Sequence, residues 1–99
     1  MFRHIVLLKF VDDTSTEQIT TIRDELNKLP GIISEIKHYE IGIDKGLADG
    51  NASIAVIGDF DSPEAYLVYA NHPAHLAVVI ERIKPILAQR SAIQFARPN

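Results

Sequence analysis

The 99-residue sequence predicts one α+β domain with its elements in the order β-α-β-β-α-α-β. Three observations predict it. An alternating strand, apolar on both faces, opens the chain, two stretches of helical spacing follow capping signals, and a His-Pro step interrupts the second of those stretches.

Residues 2–11 alternate as a strand requires, with Phe2, His4, Val6, Leu8 and Phe10 on one face and Ile5, Leu7 and Val11 on the other. Thr14-Ser15-Thr16-Glu17 has capping-box spacing: a hydroxyl can accept from the first turn while Glu17 reaches back. Ile19, Ile22, Leu26 and Leu29 then recur at helical spacing until Pro30-Gly31 stops them. Residues 32–43 alternate with more polar content, as an edge strand would, and residues 44–51 have the composition of a loop. Residues 52–60 predict another apolar strand, Ile54 and Val56 alternating with Ala55 and Ile57. Ser62-Pro63-Glu64 starts a short helix that runs to about Asn71. His72 precedes a proline and is pushed out of the α region, so Pro73 opens a second helix. Its stripe is Leu76, Val79, Ile80, Ile83 and Leu87, with Pro85 kinking or ending it. Residues 91–96 predict the last strand.

That order is the split βαβ, or ferredoxin-like, pattern: βαββαβ with an antiparallel four-stranded sheet and the second helix broken in two. Right-handed crossovers put both helical layers on one face. The other face carries Ile5, Leu7, Ala55 and Ile57, an apolar patch too large for a soluble monomer. A second copy covering it predicts a homodimer, its two sheets forming a dimeric α/β barrel.

Composition narrows the function classes. Hydrophobic content of 46% supplies a core and excludes disorder. A net charge of −3 with scattered basic residues argues against nucleic acid. The absence of cysteine removes disulfides, thiolate catalysis and cysteine-ligated metals. No apolar stretch approaches the roughly 18 residues of a membrane span. The N-terminus runs directly into a strand with no cleavage site behind it, so a cytoplasmic location is expected.

The chemistry concentrates in histidines and tyrosines. His4 brings an imidazole to the apolar face it shares with Val6 and Leu8. Tyr69-Ala70-Asn71-His72-Pro73-Ala74-His75 is the densest titratable cluster. On one continuous helix Tyr69 and His75 would diverge by roughly 240°, at about 100° per residue. The His72-Pro73 break lifts that constraint and lets both enter one cleft. His75 falls at the third position of the new helix, where unpaired N–H groups disfavour an imidazolium. A neutral ring there suits a general base, and Tyr69 can donate to a substrate oxygen or to His75.

Plainer readings stand beside these. His4 can be a core histidine satisfied by backbone, His72 a helix cap, and Tyr66 and Tyr69 core and rim aromatics. His38 reads as structural. A metal held by His4, His72 and His75 would have three nitrogens, but the proline redirects the backbone between two of them. No metal and no cofactor are expected. Ser53, Ser62 and Ser91 lack elbow glycines, which argues against a serine nucleophile.

His4-Ile5-Val6-Leu7-Leu8-Lys9-Phe10, Leu29-Pro30-Gly31-Ile32, Tyr69 to His75 and Lys84-Pro85-Ile86-Leu87 together resemble the stress-responsive A/B barrel (Dabb) family over essentially the whole chain. The resemblance implies a ferredoxin-like subunit in a dimeric barrel. It also implies a relation to a plant olivetolic acid cyclase of that family, which performs a cofactor-independent aldol condensation. The cyclase's histidine falls on His75, its tyrosine on Tyr69 and its strand histidine on His4. The family's last strand usually carries an aspartate where this chain has Gln94, which puts that carboxylate's role in doubt. The cyclase's first helix lines its pocket with aromatics, whereas Ile22 and Leu26 stand here and imply a different ligand.

The expected site is therefore His75, Tyr69 and His4, with Val6, Leu8, Ile22, Leu26 and His72 lining it. One reading is a cofactor-independent cyclase, lyase or isomerase acting on a small, partly apolar carbonyl compound. The alternatives are a non-catalytic dimer that binds a small hydrophobic ligand or serves in stress protection, and a cofactor-free monooxygenase.

Overall fold

The first strand, β1 (Phe2–Phe10), buries His4, Val6, Leu8 and Phe10 on one side, following the alternation of its sequence. A computed structural model describes residues 1–98. In it β1 lies inside a four-stranded antiparallel sheet of order β2-β3-β1-β4, with β2 at His38–Ile43, β3 at Ile54–Phe60 and β4 at Leu87–Ala96. Helix α1 (Thr16–Asn27) crosses from β1, and α2 (Pro63–Asn71) with α3 (Pro73–Val78) crosses from β3. All three lie on the face that buries His4. The core forms there, with Ile22, Leu26 and Leu29 closing on Val6, Leu8, Ile54, Val56, Phe60 and Tyr69. This is the ferredoxin-like α+β architecture expected from the element order.

Several local details differ from the sequence reading. The capping box sits one residue later than the Thr14–Glu17 spacing suggests. Ser15 Oγ accepts from the Gln18 N–H at 3.1 Å, and Gln18 Oε1 accepts from the Ser15 N–H at 2.8 Å. The edge strand predicted over 32–43 is paired only from His38. Before it, Leu29–Gly31 make a 3₁₀ turn and the chain folds Ile33 and Ile36 into the core. Ile33 and Ile36 lie three apart and both point inward, which the alternation of a strand would not allow. Strand β4 begins at Leu87 rather than residue 91, because Pro85 ends the helical run and the chain pairs with β1 almost at once, Phe10 facing Leu87.

The stripe expected after Pro73 also changes. Helix α3 ends at Val78, and Val79–Ile83 form a π-helical turn in which the Lys84 N–H donates to the Val79 carbonyl. Each turn there takes in an additional residue. Val78 and Ile83 consequently point inward, while Leu76 and Ile80 are exposed.

The opposite sheet face carries Ile5, Leu7, Ala55 and Ile57, joined on β4 by Ile93 and Phe95. Leu7 is 43% and Ile93 58% exposed, so no described part of the subunit covers this face. At its end Asp59 is buried and receives Arg3 Nε and Nη2 at 2.8 and 2.9 Å, with Arg97 Nη1 at 3.3 Å. The Arg3 guanidinium holds the Asp59 carboxyl below the usual carboxylate range. No described helix is long and apolar enough to cross a membrane.

Candidate active site

Between the sheet and the broken helix lies a cavity of about 250 Å³. Val6 and Leu8 of β1 and Val56 of β3 line it from the sheet, and Leu26 lines it from α1. Val79 and Ile83 of the π turn and Leu87 of β4 close the apolar part. Its polar groups are His4, Tyr66, Tyr69, His75 and Arg90.

The His72-Pro73 break brings Tyr69 and His75 together. His72 has extended backbone, φ −67° and ψ 135°, and its Nδ1 accepts from the Ala74 N–H at 3.0 Å to cap α3. The chain therefore turns between Tyr69 and His75, and their rings stack with centroids 4.3 Å apart. His75 Nδ1 lies 3.0 Å from the Ala70 carbonyl oxygen. A carbonyl can only accept, so Nδ1 carries the proton and Nε2 keeps its lone pair. Burial lowers the His75 pKa, partly opposed by that hydrogen bond. Desolvation thus favours the neutral state.

His4 is 4% exposed and takes the complementary form. Its Nδ1 lies 2.9 Å from the Gln94 side-chain nitrogen, across the strand pair that joins the two residues. With the amide donating, Nδ1 accepts and the neutral ring carries its proton on Nε2. Burial, the Arg90 charge and His75 lower the His4 pKa to about 4. The partner is thus a side chain rather than the backbone. Tyr66 packs on the ring, its centroid 4.8 Å away.

Tyr69 is 2% exposed, and its hydroxyl lies 2.8 Å from that of Tyr39. Burial pushes the Tyr69 pKa up to about 12 and that of Tyr39 up as well. Both phenols are protonated at neutral pH. Of the two possible hydrogen-bond orders, the one in which Tyr39 donates leaves the Tyr69 proton for a ligand.

Of the residues expected at the site, His4, Tyr69, His75, Val6, Leu8 and Leu26 line this one cavity. Ile22 packs into the core and does not line it. His72 is turned to its capping role, so no three-histidine cluster forms among the described residues. His38 is exposed on β2, 3.7 Å from Glu40. The sequence reading overlooked Tyr39, Arg90 and the lining role of Tyr66. Tyr39 shares its alternation with Ile41 and Ile43, which was a usable signal. Arg90 fell before the predicted start of β4, although it alternates with Ala92 and Gln94.

Comparison with known proteins adds to this geometry. A structure of a dimeric ferredoxin-like protein of unknown function from Thermobifida fusca is 41% identical, with a TM-score of 0.87, over 97% of this chain and 90% of that one. A hydroxynitrile lyase from Passiflora edulis shares the fold at 23% identity and a TM-score of 0.81, over 95% and 90% of the two chains. A stress-response A/B barrel domain-containing protein of Arabidopsis thaliana is 29% identical across 96% of this chain, which spans 36% of that protein's length. The sequence model of the stress responsive A/B barrel domain matches residues 2–96, and the chain belongs to that family.

Proposed function

We propose that the cavity is a cofactor-independent acid–base site for a small, partly apolar carbonyl compound, present in each subunit of a homodimer. The observation that carries this reading is the His75 Nδ1–H bond to the Ala70 carbonyl. It leaves a desolvated, neutral imidazole with a free Nε2 lone pair in a cavity lined by apolar side chains. His75 Nε2 takes the proton from the carbon next to the carbonyl, and the electron pair moves onto the carbonyl oxygen. That oxygen is stabilised by donors from His4 Nε2–H and the Tyr69 hydroxyl. His75 then returns the proton to carbon (isomerase), to an oxygen that departs from the neighbouring carbon (lyase), or to the alkoxide formed when the enolate carbon adds to a second carbonyl of the same compound (aldol-type). The Passiflora hydroxynitrile lyase supports the reading only in showing that this fold houses a lyase.

The dimer is supported by the uncovered Ile5, Leu7, Ile93 and Phe95 face and by relatives described as dimeric. The test is a thermal-shift screen of small ketones, hydroxy and oxo acids, followed by product analysis on each hit. A hit converted by the wild type and not by His75→Ala supports the enzyme, with Tyr69→Phe slowing turnover more than it weakens binding. One observation favours a second reading, a dimer that binds without catalysis: the Tyr69 hydroxyl already has Tyr39 as a partner. Hits that stabilise the protein yet stay unchanged on long incubation would favour that reading.

A further inference from the structure

Arg3, Arg23, Arg82 and Arg97 each lie within 4.0 Å of a carboxylate. Arg90 has no carboxylate partner among the described residues, yet it lines the cavity. It sits on the helix-facing side of β4, directly across from Leu8 and four pairs along from the His4–Gln94 pair. Strand β4 is an edge strand, and Arg90 on it is exposed while lining the cavity, so the cavity meets solvent at Arg90. The lining contains no aspartate or glutamate. With both histidines neutral at physiological pH, the Arg90 guanidinium is the one fixed charge of the site among the described residues. The guanidinium fork matches a carboxylate in shape and can bind it through two parallel hydrogen bonds.

We propose that the cavity takes a short-chain acid, its carboxylate held by Arg90 at the mouth and its carbon chain lying between Leu8, Leu26 and Ile83. This names the class of ligand for the site proposed above and rests on the cavity being a ligand site, but not on turnover. The carbonyl carbon of such an acid would lie inward of the carboxylate, toward His4 and His75. An oxo acid fits both ends of the site, and a plain ketone of equal length fits only one.

Calorimetric titration with hexanoate and with hexanamide, which share a shape and differ in charge, tests this. The wild type should bind hexanoate about tenfold more tightly or better, the usual scale for a hydrogen bond to a charged partner. Arg90→Gln should bring hexanoate affinity down to about that of hexanamide, and Arg90→Lys should keep part of the preference. The preference should also shrink at high salt. Equal binding of acid and amide by the wild type, no binding of either, or an acid preference that survives in Arg90→Gln would each overturn the proposal. Because Arg90 is exposed, an unchanged melting temperature of the variant serves as the control for folding. The two readings fail separately. Acid preference without turnover sinks the catalytic reading alone, and turnover of ketones by a protein that binds hexanoate no better than hexanamide sinks this one alone.

Discussion

Burial acts on His4 and His75 in the same direction, and their hydrogen-bond partners then separate them. The carbonyl of Ala70 fixes the proton of His75 on Nδ1, whereas the Gln94 amide fixes that of His4 on Nε2. One ring is left to accept and the other to donate. The His4 value of about 4 carries a stability consequence. Between that value and the unfolded value near 6.5, the unfolded chain binds a proton that the folded one refuses. Stability is therefore complete above about pH 6.5 and falls as pH drops toward 4, by on the order of 2–3 kcal/mol for this one group. Urea unfolding across that range should show the loss, and His4→Leu should remove the share due to His4. An unchanged slope in that variant would contradict the assignment. The placement of His4 was legible in the sequence because alternation alone puts it beside Val6 and Leu8. Its partner was not, since Gln94 lies ninety residues away and only register brings it across the strand pair.

At the scale of elements, the His72-Pro73 step does most to shape the site. It ends α2, caps α3 through the His72 imidazole and sets Tyr69 against His75. Because His72 caps rather than lines, His72→Ala should lower stability by about 1 kcal/mol. Ligand affinity at the cavity should change less than twofold, measured by the same calorimetry. A large loss of binding with intact stability would return His72 to the site. The break was readable from the sequence because proline constrains the residue before it. The π turn that follows was not, since Leu76, Val79, Ile80 and Ile83 fit an ordinary helical stripe and only packing selects Val78 and Ile83. Residues 32–37 misled for the related reason that alternating composition does not guarantee a strand partner.

For the whole molecule, the two faces of the sheet divide the work. The helix side buries the core and the cavity, and the open side presents Ile5, Leu7, Ile93 and Phe95. Leu7→Glu should separate the proposed dimer, because pairing would bury an uncompensated charge. Sedimentation of the wild type at micromolar concentration should give the dimer, and the variant a monomer or an unfolded chain. A stable wild-type monomer would contradict it. Topology and the two-sided apolar strand were legible from short-range patterns in β1 and β3. The Arg3–Asp59–Arg97 cluster was not, because it joins three segments distant in sequence.

The proposed function turns on His75 as a base poised beside a bound carbonyl. Deuterium uptake at the carbon next to the carbonyl tests it whatever the final product. In heavy water, 2-hexanone and 4-oxopentanoate are incubated with the wild type and with His75→Ala and followed by nuclear magnetic resonance. The wild type should exchange at least one of them well above the buffer rate. That rate should rise with pH up to a midpoint below about 6.5 and level off above it. His75→Ala should fall to background. Exchange at the buffer rate for a compound that demonstrably binds, or equal exchange by His75→Ala, would contradict the claim.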